Sequence, residues 1–131
     1  MRARLVTPLL AGAALLAAGC NPALKPYGNV SATGMCLKAA GYRVQTHFND
    51  FVANTATRGA LRAKKNYNVL TISFGKNAHE ARSLRRAYHR FMPKRRARHI
   101  MDISEIEKNA LLLWTTTPTP EQLDVVVGCL K

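Results

Sequence analysis

The chain from about residue 31 to its end predicts an α+β domain. The expected form is a two-layer sandwich, with a four-stranded, mostly antiparallel sheet carrying its helices on one face in the order α-β-β-α-β-β-α. Three observations lead there. Four stretches carry the apolar alternation or the short apolar runs of strands, and they fall in two pairs. A long amphipathic helix with its own cap separates the pairs, and a second capped helix follows the last strand.

In chain order, Ser31 or Thr33 is placed to cap a short helix through Ala40, with Gly41 as its stop. Tyr42, Val44, Thr46 and Phe48 then alternate with Arg43, Gln45 and His47, the pattern of a half-buried strand. Residues 49–66 read as a loop with a helical turn, because Gly59 and the Thr/Asn content oppose a longer element. Tyr67 to Phe74 is the second strand, with Leu70, Ile72 and Phe74 inward. Phe74-Gly75-Lys76-Asn77 makes a turn without the spaced glycines of a phosphate loop, and Asn77 caps a helix from Ala78 to Met92. Ala81, Leu84, Tyr88 and Phe91 form its apolar stripe, and Pro93 ends it.

A basic connection, Lys94-Arg95-Arg96-Ala97-Arg98, leads into a third strand near His99 to Ser104. After a turn at Glu107-Lys108-Asn109, Ala110 to Thr116 is apolar on both faces and so expected to be central. Thr119, Pro120 and Gln122 supply an N-cap, a first helical residue and a capping box for the last helix.

Ahead of the domain, Arg2 and Arg4 precede an uncharged apolar run, Leu5 to Ala18, too short to span a bilayer comfortably. The run ends in Leu16-Ala17-Ala18-Gly19-Cys20, which resembles the lipobox of bacterial lipoprotein signal peptides. The resemblance implies a signal peptide over 1–19 and a diacylglyceryl group on Cys20. It also implies a lipid-anchored protein on the extracytoplasmic side of the cell membrane. An ordinary secretory signal cut nearby, or an uncleaved anchor, fits the same residues. Residues 20–30, with two prolines and a glycine, read as lipidated cysteine and flexible tether, leaving 31–131 as one domain.

Export to an oxidising compartment leaves Cys36 and Cys129 as an even pair, expected to form a disulfide that sets the first and last helices side by side. Two free buried thiols are the alternative, or a pairing through Cys20 if that residue is not acylated. Two local stretches, Cys36-Leu37-Lys38-Ala39-Ala40-Gly41-Tyr42 and Leu113 to Gln122 leading to Gly128-Cys129-Leu130, resemble small exported α+β domains of high-GC bacteria. Those domains pair a cysteine before a Gly-Tyr with one near the C-terminus. The likeness covers about half of the mature length and implies structure only, with no catalytic residue to carry over.

Chemistry is sparse. Ser73, Ser83 and Ser104 lack a nucleophile elbow, and seven carboxylates contain no locally spaced acid/base pair. His79, His89 and His99 do not share a helix face, and His47 and Asp50 straddle a strand end, so no metal or other cofactor is implied. The chain reads as non-catalytic.

Charge is the strongest signal: 20 basic side chains stand against 7 acidic ones, a formal +13. Such an excess selects anionic partners, and export argues against nucleic acid among them. Arg82, Arg85, Arg86, Arg90, Lys94, Arg95, Arg96 and Arg98 are the expected surface for anionic lipid or cell-wall polymer, with Glu80 the one acid between Ala78 and Asp102. A competing surface is the sheet face left without helices, which Leu111 to Trp114 would make apolar enough for a protein partner or homodimer.

Overall fold

The structure, a computed structural model, describes residues 25–131; the expected signal peptide and Cys20 lie outside the described residues. The chain runs α1 (Val30–Ala39), β1 (Arg43–Gln45), a 3₁₀ turn (Ala53–Thr55), β2 (Ala60–Lys65) and β3 (Asn68–Phe74). It continues through α2 (Ala78–Phe91), α3 (Lys94–Ala97), α4 (Ile100–Ile103), β4 (Ser104–Glu107), β5 (Ala110–Trp114) and α5 (Pro120–Cys129). The domain is α+β as expected, but its antiparallel sheet has five strands in the order β1-β2-β3-β5-β4. β3 takes the middle, and β5 is interior beside it.

Helices cover both faces, which corrects the two-layer arrangement. Successive strand residues point to opposite sides, so β5 sorts its own side chains. Ala110, Leu112 and Trp114 join Leu70, Ile72 and Phe74 of β3 and Leu61 and Ala63 of β2 under Leu37 of α1 and Val126 and Cys129 of α5. Leu111 and Leu113 pack on the other side with Leu84 and Tyr88 of α2, Ile100 and Ile103 of α4, and Val52 and Ala56. The apolar face expected to be open for a partner or homodimer is therefore occupied, and Trp114 is buried.

The extra strand, β2, replaces the loop expected over 49–66. It pairs with β3 through a two-residue turn, Asn66-Tyr67, because Lys65 faces Asn68; Asn66 takes the positive φ that this tight turn needs. The expected strand near His99–Ser104 is instead the helical turn α4, with β4 starting at Ser104. Ala97, Ile100 and Ile103 are all buried, and their spacing of three is helical. The first strand is shorter than expected, since only Arg43–Gln45 pairs with β2.

Asn29, rather than Ser31 or Thr33, caps α1, its side chain accepting from the Ala32 N–H at 2.9 Å. The caps of α2 by Asn77 and of α5 by the Thr119–Gln122 box stand where the residues predicted them. The Cys36–Cys129 disulfide joins α1 to α5 with its Cα atoms 5.4 Å apart. Beside it the chain ends are clasped: Gly28 and Asn29 N–H groups donate to the Lys131 carbonyl at 2.8 and 3.0 Å.

Asn109, buried at the turn between β4 and β5, completes the clasp. Its side-chain oxygen accepts from the Tyr27 N–H at 2.7 Å, and its amide donates to the carbonyls of Tyr27 and Gly75 at 2.7 and 2.6 Å. Tyr27 to Asn29, at the end of the expected tether, thus lie against the domain.

At the start of α2, Glu80 accepts from the Thr57 hydroxyl and N–H and from the Lys76 N–H, tying the 50s segment to the helix. Burial pushes this carboxyl up, but the hydrogen bonds from Thr57 and Lys76 outweigh that and hold it below its ordinary range. A depressed carboxylate stabilises the fold above its unfolded-state pKa, and that contribution is lost as pH falls through the folded-state value. Glu80→Gln is expected to cost about 1 kcal/mol at neutral pH. The gap from wild type should close in urea titrations as pH falls below the ordinary glutamate range; a pH-independent gap would contradict the assignment. Removing the disulfide as a Cys36→Ala/Cys129→Ala pair, which opens a 93-residue separation, should cost roughly 4–5 kcal/mol by loop-closure entropy. An unchanged denaturation midpoint would show that the bridge constrains nothing.

Candidate functional site

The predicted basic residues divide between α2, which carries four, and the short helical turn α3 with Arg98 at its end, which carries the other four. On α2, Arg82, Arg86 and Arg90 stand four residues apart and form one outward row, since residues at this spacing lie above one another. Arg85 sits at the flank and is half-buried. The row exists because Ala81, Leu84 and Tyr88 take the opposite, buried side of the helix.

Beyond Pro93 the chain turns through α3 and α4. Arg90, Lys94 and Arg98 come together with His89 around one shallow groove. Arg95 and Arg96 line another with His99, Asp102 and the Thr115–Thr117 segment. All eight side chains are exposed or half-exposed.

Electrostatically the surface is lopsided. Among the described residues, none of the eight forms an ion pair; the two ion pairs present are Arg62–Asp50 and the exposed His99–Asp102. Glu80 does not offset the arginine row, because its carboxylate is turned to Thr57 and Lys76. Like charges held this close repel, and only counter-ions or a ligand can relieve them.

The α2 side of the sheet carries a second feature that the sequence reading missed. α2 packs over β4, β5 and part of β3, leaving β1 and β2 bare. Between α2 and the bare half lies a cleft of about 500 Å³, lined by Asp50, Arg62, Thr71, Tyr88, Phe91 and Arg96 among others. On its wall the Tyr88 hydroxyl donates to Asp50 Oδ2 at 2.9 Å, and an Arg62 Nη2 lies 3.6 Å from the same oxygen. The other Asp50 oxygen accepts from the Ala53 N–H at 2.9 Å, at the first residue of the 3₁₀ turn. Burial, then the Asp50 charge and hydrogen bond, push the Tyr88 phenol well above its ordinary value, so it stays a protonated donor.

Arg62 also lies 4.6 Å from the centre of the Phe48 ring, a cation–π contact, and its buried Nε has no partner. The signal that could have found Arg62 was the alternation of Leu61 and Ala63 with Arg62 and Lys64. Ala and Lys are poor strand formers, which hid it.

Among the described residues, no group of three or more His, Cys, Asp or Glu side chains is placed to hold a metal ion. No described helix is long and apolar enough to cross a membrane. Comparison of the chain with protein-family models, with curated proteins and with solved structures finds no match in any of the three.

The Asp50 network is expected to be structural as well as local to the cleft. Asp50→Ala leaves a buried phenol and a guanidinium without their acceptor and should cost about 2–3 kcal/mol; Tyr88→Phe should cost about 1 kcal/mol. In a double-mutant cycle by urea unfolding the two should couple by about 1 kcal/mol, and strict additivity would contradict the network.

Proposed function

We propose that this protein is a non-catalytic lipoprotein, anchored through a lipid on Cys20 to the extracytoplasmic side of the cell membrane, whose basic surface binds anionic lipid or wall polymer. The observation that carries this reading is the run of cations from Arg82 to Arg98: eight exposed or half-exposed basic side chains with no acidic partner among the described residues. Uncompensated charge of this density lowers stability, so a ligand that neutralises it gains twice, by attraction and by relief of repulsion.

The position of the clasp favours the polymer for the distal half of that surface. The chain leaves the domain at Tyr27, beside Asn109 at the start of β5. Six residues lie between Cys20 and Tyr27, and the seven Cα–Cα steps reach no more than about 25 Å fully extended. Exposed Lys25, Arg58 and Lys131 surround this exit, and the Lys108 ammonium lies 4.6 Å from the Tyr27 ring centre. This end is suited to anionic head groups, where each cation contributes about 1 kcal/mol. Arg96 bonds the Trp114 carbonyl at the opposite end of β5, about 17 Å away along the strand. On this reading the Arg90–Arg98 half stands at the end of the domain farther from the anchored one, where a wall polymer would meet it.

Two measurements test the reading. Labelling with a palmitate analogue should mark the protein and fail on Cys20→Ser; equal labelling would remove the anchor. Binding of the unlipidated domain to poly(glycerol phosphate) should weaken with salt. Changing Arg86, Arg90 and Arg95 together to Ser should cut affinity about a hundred-fold, at roughly 1 kcal/mol per charge. Salt-insensitive binding, or no loss in the triple variant, would overturn the surface assignment.

A further inference from the structure

The cleft beside α2 is a different kind of place from the arginine row. Its floor is sheet: Arg62, Thr71 and Leu113 stand in one cross-strand line, with Val69 and Thr115 beside them. Its rim is aromatic. Phe51 and Phe91 meet edge to face, ring centres 5.9 Å apart, yet they are 73% and 63% exposed. Phe91 lies on the stripe expected to be core, and the structure leaves it over the cleft mouth because α2 ends there. Half-exposed Met92 extends the same apolar lip.

Charge inside the cleft is small and definite. Arg62 and Arg96 bring two guanidinium groups, and Asp50 brings one carboxylate already held by Tyr88 and Ala53. The balance is one positive charge, with the buried Arg62 Nε left unpartnered. Guanidinium groups favour planar, bidentate anions, and a buried donor without an acceptor is costly to leave unmet. A cavity of about 500 Å³ with apolar walls and a few convergent polar groups has the size and make-up of a small-ligand site.

We propose that this cleft binds a small amphipathic anion, with a single negative head group at Arg62 and Arg96 and an alkyl chain lying across Leu113 and Val69 beneath Phe51, Phe91 and Met92. One head-group charge neutralises the cleft, and the chain covers the exposed rings. The site is distinct from the basic run Arg82–Arg98, sharing only Arg96 with it, and does not depend on an anchor at Cys20.

Isothermal titration of the unlipidated domain with dodecanoate tests this. One-to-one binding is expected, with Arg96→Gln and Phe91→Ser each weakening it about ten-fold and Arg82→Gln, on the outer row, leaving it unchanged. Arg96 and Phe91 are exposed, so their variants keep the fold, which unfolding curves verify. Dodecyltrimethylammonium, with the same tail and opposite charge, and acetate, a head without a tail, should not bind. Lysophosphatidylglycerol distinguishes a lipid phosphodiester from a free carboxylate; either seated one-to-one in a manner sensitive to Phe91→Ser supports the site. Equal binding of the cationic detergent would overturn the proposal. So would several equivalents of dodecanoate lost equally in Arg82→Gln, or no binding of either anion.

Discussion

An interior strand that is apolar on both sides, β5, cannot leave either side to water, and this requirement shapes the molecule. Leu70, Ile72 and Phe74 face α1 and α5, as do Leu112 and Trp114, while Leu111 and Leu113 face α2. Each layer is then held by its own device. The disulfide and the Lys131 clasp fix α1 against α5, and Glu80 with Asn77 fixes the start of α2. A helix is about 10 Å across and strands are about 4.8 Å apart, so one helix covers about two strands. α2 shields β5 and its neighbours, and the β1–β2 half of that face stays open. The cleft follows from this shortage of cover, and its two cations come from β2, which places Arg62 on the open side, and from α3, which supplies Arg96.

Local chemistry in the sequence identified the elements with strong boundary residues. Asn77 and the Thr119-Pro120-Gln122 start are visible because a cap acts on the few residues beside it. The strand Asn68–Phe74 was visible because its inward positions are large and apolar. Residues 60–65 were not, because a strand made of Ala, Leu, Arg and Lys carries half an alternation and low intrinsic propensity. The turns at 94–103 were misread because basic residues mask Ala97, Ile100 and Ile103, whose spacing of three is the helical sign. Layering was the larger error: it depends on which helix covers which face, and no local pattern encodes that. The arginine row was legible from charge alone, whereas the Asp50–Arg62–Tyr88 group joins residues up to 38 positions apart through the tertiary fold.

Basic charge is distributed by position, and the two ends of β5 divide it. Near Asn109, Lys25, Arg58, Lys108 and Lys131 surround Tyr27; toward Trp114 stand Arg90 at the end of α2, Lys94 to Arg96 on α3 and Arg98 just after it. With the proposed lipid on Cys20, the clasp of Tyr27 by Asn109 would hold this end of the domain nearer the membrane.

The most direct test of this polarity is a residue-resolved map. Amide NMR spectra of the isotope-labelled Cys20→Ser mature domain would be followed through a titration with poly(glycerol phosphate) at low and high salt. The account predicts that shifts concentrate on Arg82 to Arg98, spare Tyr27, Arg58 and Lys108, and vanish as salt screens the charges. Shifts centred on Tyr27 and Lys108, or spread evenly over the domain, would contradict it.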